Sequence, residues 1–255
     1  MSQTVERAGN DAERKALGSS SARNVLQILF GFSERRVSAT VPELAELVGV
    51  PVPTAYRHVA LLKDMQLLIE GPQGRYHPTV KVMALARAAQ LANTLAEVAR
   101  PVLAEASAAF NETVMLMQYV GDAVVCVEVH ETDRAMRFTF QRGHSVPLGS
   151  GGSGKMALAC LPAPARKAAL ERLGRPELEE EIVQTLARGY AASVSDLDEG
   201  VFACSVPVMP VDGVPVVLTM CGPESRIDQT MRDEVPTQLI AFADRLREAL
   251  SRFAI

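Results

Sequence analysis

Three groups of residues carry side chains that could do chemistry or recognition. The first is Val52-Pro53-Thr54-Ala55-Tyr56-Arg57-His58, which gathers a hydroxyl, a phenol, a guanidinium and an imidazole within two helical turns. Donors and acceptors crowded at the start of a helix are what contact with base edges and phosphates requires. The second is Gly149-Ser150-Gly151-Gly152-Ser153-Gly154-Lys155, the first seven positions of a phosphate-binding loop. The eighth should be Ser or Thr to ligate Mg²⁺, and here it is Met156. The preceding Gly143–Leu148 is a poor buried parallel strand, and no later strand ends in a plausible Mg²⁺-binding Asp, so nucleotide hydrolysis is set aside. Glycines at a helix start still leave backbone N–H groups free, and the helix dipole favours an anion such as a carboxylate there.

The third group is the histidines and cysteines. His58, His77, His130 and His144 show no metal spacing among themselves or with Cys126, Cys160, Cys204 and Cys221. No sequence signature of a Ser–His–Asp or Cys–His set appears. The expectation is therefore a binding protein rather than an enzyme, with no metal and no cofactor. The widely spaced thiols are expected to be free and buried.

Around the first group the chain writes its own punctuation. Thr40-Val41-Pro42-Glu43 has the capping-box form at a helix start, and Leu44, Leu47 and Val48 recur on one helical face. Gly49-Val50 ends that helix and Pro51 and Pro53 mark the turn. Ala55, Val59 and Leu62 give the second helix its apolar stripe, leaving Val52, Thr54, Tyr56, Arg57 and His58 as an exposed face. Leu67-Leu68-Ile69, the turn Glu70–Gly74, and Arg75-Tyr76-His77 then read as a β-hairpin. Helix, helix, hairpin is the order of a winged helix–turn–helix, whose second helix enters a major groove. The bland reading of Arg57 is a surface ion pair with Asp64 or Glu46. The candidate DNA-facing set is Arg36, Thr40, Val52, Thr54, Tyr56, Arg57, His58 and Arg75, with Arg75 on the wing.

The 255 residues suit two domains. The net charge of −4 divides unevenly: residues 20–90 carry eight Lys/Arg against five Asp/Glu, and residues 91–255 carry fifteen against twenty-two. A mildly basic head before an acidic body fits a protein that touches DNA with one small module. No run approaches the ~20 apolar residues of a bilayer span and no signal peptide is evident, so a cytoplasmic protein without membrane contact is expected.

In order, residues 1–19 read as a disordered tail, and residues 20–78 as the winged helix–turn–helix, opening with a helix capped by Ser21 whose core face is Val25, Leu26, Ile28, Leu29 and Phe32. Residues 79–94, rich in alanine, read as a linker helix with a stripe for a partner helix. Residues 95–255 read as a second domain: a helix to Phe110, then strands at Val114–Val120, Ala123–Val129 and Met136–Phe140. The glycine-serine loop 149–154 leads into a helix, two solvated helices follow near Ala163–Leu173 and Glu177–Arg188, and strands return at Ala191–Val194, Val201–Val208 and Val214–Cys221. A last helix spans Met231–Phe253. The class is α+β with a mainly antiparallel sheet.

At this point the residues resemble the IclR-type bacterial transcriptional regulators, over about residues 20–253. The matching pieces are Pro42-Glu43-Leu44-Ala45 with Gly49-Val50, Thr54-Ala55-Tyr56-Arg57, and Gly74-Arg75-Tyr76. Further on they are Gly143–Leu148, Ser153–Ala159, Arg188-Gly189-Tyr190, Glu199–Val208 and Cys221-Gly222-Pro223. The resemblance implies a helical linker used in dimerisation, a GAF-like effector domain, homodimers or homotetramers, operator DNA as partner, and a small organic acid or aromatic effector. It puts the effector-binding positions on Gly152, Ser153, Ser193, Ala203, Thr219 and Cys221. Ser193 stands where some members have an acidic side chain, which removes a charge that would repel a carboxylate. Met115, Met117, Met136, Phe138 and Phe202 are the candidates for an apolar lining, with core packing as their ordinary role. An enzyme with an accessory winged helix, or a winged helix used for protein contact, are the alternatives.

Overall fold

The computed structural model describes residues 20–34, 36–211 and 213–252, apart from the side chains of residues 209–211. The expected tail at 1–19 and the end of the last helix at Phe253 lie outside them. The chain forms two compact units that divide between Ala92 and Asn93.

In the first unit, α1 spans residues 20–30, β1 is Ala39–Thr40, α2 is Val41–Val48 and α3 is Val52–Asp64. The hairpin strands are β2 (Leu68–Glu70) and β3 (Arg75–Pro78), and α4 is Lys81–Leu91. β3 pairs antiparallel with both β1 and β2, giving a three-stranded sheet. The capping box forms as read: the Thr40 N–H donates to Glu43 Oε2 at 2.7 Å and the Glu43 N–H donates to Thr40 Oγ1 at 3.4 Å. Gly49 ends α2 at φ +71°, a conformation that costs glycine little. Ile28, Leu44, Ala55, Val59, Leu62 and Leu68 make the core. Leu26 and Leu47, expected inside, are half exposed at 51% and 44%. The core of so small a unit fully buries Ile28 of α1 and Val41, Leu44 and Ala45 of α2, with Val25, Leu29 and Val48 half-buried at its margin.

In the second unit α5 (Thr94–Phe110) and α9 (Gln229–Ser251) pack on one face of a six-stranded sheet, and α6 (Gly151–Ala159) packs on the other with α7 (Ala163–Leu173) and α8 (Glu179–Arg188) beside it. The sheet order is β6-β5-β4-β9-β8-β7, formed by β4 (Thr113–Tyr119), β5 (Ala123–His130), β6 (Ser145–Pro147), β7 (Ala191–Val194), β8 (Val201–Val211) and β9 (Val214–Pro223), and its pairings are antiparallel. Period-two alternation assigns each side chain to a layer. Val114 and Leu116 of β4 face α5 and α9, whereas Met115 and Met117 face α6. Because helices cover both faces, the strands read as unbroken apolar runs.

The structure corrects several expectations. Residues 136–140 form no strand; their carbonyls are taken by side chains instead, Phe138 O by Thr113 Oγ1 at 2.8 Å and Met136 O by Arg226 Nη1 at 2.9 Å. β6, unforeseen as a strand, adds three residues to the sheet edge. α7 and α8 each bury one side, with Arg166, Ala169 and Leu170 on the first and Ile182 and Thr185 on the second. The glycine-serine stretch is not a loop before the helix. It is the helix, since α6 begins at Gly151.

Gly152 and Gly154 let that helix lie directly on its surroundings. A Cβ at Gly154 would sit 2.4 Å from the carbonyl oxygen of Pro147, and one at Gly152 would sit 2.9 Å from Ser205 Oγ. Helix propensity alone says that Gly154→Ala stabilises by roughly 1 kcal/mol. The backbone clash reverses the sign, and Gly154→Ala should destabilise the second unit by about 3 kcal/mol. Urea unfolding followed by circular dichroism checks this; a variant as stable as the parent would contradict the close approach.

Candidate nucleic-acid interface and effector site

The α3 helix starts without a side-chain cap at Pro51, whose carbonyl accepts from the N–H groups of Thr54 and Ala55 at 2.8 and 3.1 Å. Ala55, Val59 and Leu62 turn into the core, and Val52, Tyr56 and Arg57 are exposed, with Thr54 half-buried. Arg57 Nη2 donates to Thr54 Oγ1 at 3.3 Å, so the guanidinium lies along the helix start rather than against Asp64 or Glu46. Thr40 and Tyr56 line one surface groove with Glu70, Gln73 and Gly74 of the wing, about 330 Å³ in volume. Arg36 and Arg75 line another, of about 700 Å³, with Val37, Ser38, Glu43, Glu46 and Leu47.

Two residues of the candidate set have structural duties. Arg75 donates from Nε to Ser38 Oγ at 3.0 Å and from Nη2 to Ser38 O at 2.8 Å, and pairs with Glu43 at 3.1 Å. The Thr40 backbone N–H and the Arg75 guanidinium together hold the Glu43 carboxyl below the usual range. Glu43 thus ties the start of α2 to the wing, a function invisible in a capping box alone. His58 is a correction: expected on the exposed face of α3, it is buried, with Nε2 lacking any hydrogen-bond partner. Three residues after Ala55 and four before Leu62, its position follows the buried stripe of α3.

In the second unit the effector positions are brought together on the α6 side of the sheet. Ser193 of β7, Ala203 of β8, Cys221 of β9 and Thr113 of β4 are successive partners in one cross-strand row. Ala191, Ser205, Thr219 and Met115 form the next row on the same face. Gly152 lies over both, its missing Cβ directed at Ser205 Oγ, Ala191 O and Ala203 O. Ser153 and Thr219 are buried beside them. Ser205 was missed by sequence reading; it is fully buried and its Oγ lies 2.8 Å from Thr219 Oγ1. Its only sequence signal is the alternation of β8, which puts it two places from Ala203. Of the proposed apolar lining, Met115, Met117 and Phe138 belong to this layer, while Phe202 faces α5 and α9 and Met136 is exposed.

The anion expected at the start of α6 is supplied by the chain itself. The Gly151 N–H donates to Asp196 Oδ2 at 2.8 Å, and Lys155 Nζ lies 3.1 Å from the same carboxylate and 2.9 Å from Glu181. All four cysteines are free thiols; Cys126, Cys204 and Cys221 are buried, and burial pushes the first two up to about 12 and Cys221 higher still. Among the described residues no helix is long and apolar enough to cross a membrane.

Residues 88–248 match the family model of the bacterial transcriptional regulator IclR C-terminal domain. The chain belongs to the IclR family. It is similar to the HTH-type transcriptional regulator TtgV of Pseudomonas putida, at 29% identity over 61% of this chain and 62% of that one, so the match spans under two thirds of that relative's length. A crystal structure of an IclR family regulator from Brucella abortus superposes with TM-score 0.78 at 21% identity, covering 90% of this chain and 92% of its own. An IclR homologue from Microbacterium hydrocarbonoxydans, complexed with 4-hydroxybenzoate, superposes with TM-score 0.62 at 19% identity, covering 91% and 99%. The IclR-type resemblance read from the sequence is therefore shown, and the relatives are named as regulators rather than enzymes.

His58 gives the first unit a pH response. Burial, and next the nearby Arg57 charge, lower its pKa from the ordinary 6.5. A group harder to protonate when folded contributes stability above its unfolded pKa and loses it as pH falls below about 6.5. Thermal melts of the full chain should show the first unit weakening as pH falls below the unfolded value of about 6.5, with a smaller slope for His58→Leu. The window lies above the Glu43 range, so equal slopes would remove His58 as the cause.

Proposed function

We propose that this chain is a DNA-binding transcriptional regulator whose operator affinity is set by a small organic acid or aromatic compound held in its second domain. One observation carries the reading. The start of α3 offers Val52, Tyr56 and Arg57 to solvent with Thr54 half-buried beside them, followed by a hairpin in the order of a winged helix–turn–helix, in a chain whose other part is an IclR C-terminal domain. Thr54, Tyr56 and Arg57 read base edges or phosphates from the helix, and Arg36, Thr40 and Arg75 contact phosphates from the flanks. Arg75 does so from a guanidinium already fixed by Ser38 and Glu43.

The effector takes its place against Gly152, Ser153, Ser193, Ala203, Thr219 and Cys221, with Ser205 added as a further hydroxyl. The relative bound to 4-hydroxybenzoate supports a small acid or aromatic compound as the class. The linker, residues 79–94, carries exposed Val80, Met83, Leu85 and Leu91 on and beside α4, and no residue of α4 is buried. These side chains suit a second copy of the chain, giving a homodimer or homotetramer. Two recognition helices then meet half-sites about one helical turn or a multiple apart, and effector binding changes the operator affinity by altering that spacing.

A fluorescence titration against the upstream intergenic DNA, at two salt concentrations, tests this. Binding should be saturable and weaken at higher salt, and Arg57→Ala should cost roughly tenfold in affinity, the scale of one lost charged contact. A panel of benzoates and short aliphatic acids should contain a compound that shifts the curve. No sequence preference with or without any acid, and no effect of Arg57→Ala, would instead indicate a winged helix used for protein contact.

A further inference from the structure

At the cluster assigned to the effector, Ser193 and Ala203 are half-buried and the remaining positions are closed to solvent. Ser153, Ser205 and Thr219 are all buried, so a ligand that touches them needs a way in. Residues 195–200, which join β7 to β8, stand over the start of α6 and have the construction of a hinged strap. Ser195 adopts φ +52° and Gly200 φ +75°, left-handed backbone at both ends. The ends are clasped to each other: the Ser195 N–H donates to Val201 O at 2.8 Å, and the Gly200 N–H donates to Ser195 Oγ at 2.9 Å. Between them, Asp196 and Leu197 reach inward. The Asp196 carboxylate takes the Gly151 N–H and the Lys155 ammonium. A Leu197 methyl carbon lies 2.7 Å from where a Cβ of Gly151 would be, and the side chain packs on the α6-side core. Ser195, Asp198 and Glu199 face solvent, and Asp196 is itself exposed, so the latch lies at the surface while Leu197 is half-buried beneath it.

We propose that residues 195–200 are a gate over the α6 face of the sheet, latched by Asp196 to Gly151 and Lys155 and plugged by Leu197. This rests on the effector-domain reading and deepens it by naming the route to the site. Two features suit the strap to opening. The clasp at Ser195 and Gly200 lets the intervening residues swing as a unit without unpairing β7 from β8. Glu181 keeps its ion pair with Lys155 when Asp196 leaves, so release strands no buried cation. Gly151 has no side chain for the same reason that Leu197 can seal against it; any Cβ there would prop the gate ajar.

Site-resolved alkylation of the full chain with iodoacetamide, read by mass spectrometry, tests the gate without any effector. Cys221 lies in the same cross-strand row as Ser193 and Ala203 on the gated face, and Cys204 lies on the opposite face under α5 and α9. Asp196→Ala should raise the Cys221 rate several-fold while Cys204 stays at its parental rate. Asp196→Asn, which keeps an acceptor for Gly151 and loses the charge on Lys155, should give an intermediate rise. Leu197→Ala should raise Cys221 without touching the latch. An unchanged Cys221 rate in all three variants, or Cys204 rising in parallel, would overturn the gate. Neither outcome bears on operator binding, which the DNA titration decides separately.

Discussion

Burial of both faces of the six-stranded sheet is the constraint from which the second unit follows. A strand covered on one side can spend alternate residues on water; these strands cannot. Val114 and Leu116 must fill the layer under α5 and α9 while Met115 and Met117 fill the layer under α6. Any polar side chain on β7, β8 or β9 that points at α6 is therefore either paired or reserved for something that enters. Ser205 and Thr219 pair with each other at 2.8 Å. Their burial inside an apolar layer marks a place where side-chain chemistry is set by more than packing, since hydroxyls there give less burial energy than the aliphatic residues around them.

The first unit solves a different problem, that of holding a short hairpin against two short helices with a small core. It does so with charge. Glu43 serves at once as the third residue of a capping box and as the carboxylate for Arg75, so the start of α2 and the wing share one anchor. Lys63 of α3 plays a similar part on the other strand beside the same turn, pairing with Glu70 at 2.8 Å and lying 5.3 Å from the centre of the Tyr76 ring. Exposed pairs of this kind are individually weak. Here they fix the direction of the wing more than they stabilise the unit.

Local signals survived into the structure and relations between distant residues did not show beforehand. Thr40 and Glu43 are three residues apart, and their mutual bonds were legible because helix geometry alone decides them. Periodicity places Ala55, Val59 and Leu62 inside, and the same spacing, three on from Ala55 and four before Leu62, also buries His58. Residues 149–154 looked like a loop because glycine is a poor helix former in isolation; the carbonyl of Pro147 and the hydroxyl of Ser205, which exclude a side chain there, come from elsewhere in the fold. Asp196 lies 45 residues from Gly151, and nothing in the order of residues announces that its carboxylate meets that N–H. Residues 136–140 have the composition of a strand and lose the conformation because Thr113 and Arg226 claim their carbonyls.

The linker α4 has a thermodynamic consequence. Eleven residues is below the length at which a helix persists in water by its own hydrogen bonds, and none of its residues is buried. Its helicity is then a shared property, maintained by whatever covers Met83, Leu85 and Leu91. In the homodimer proposed above, coil-to-helix ordering of this segment is part of the free energy of association, so the segment's structure depends on protein concentration.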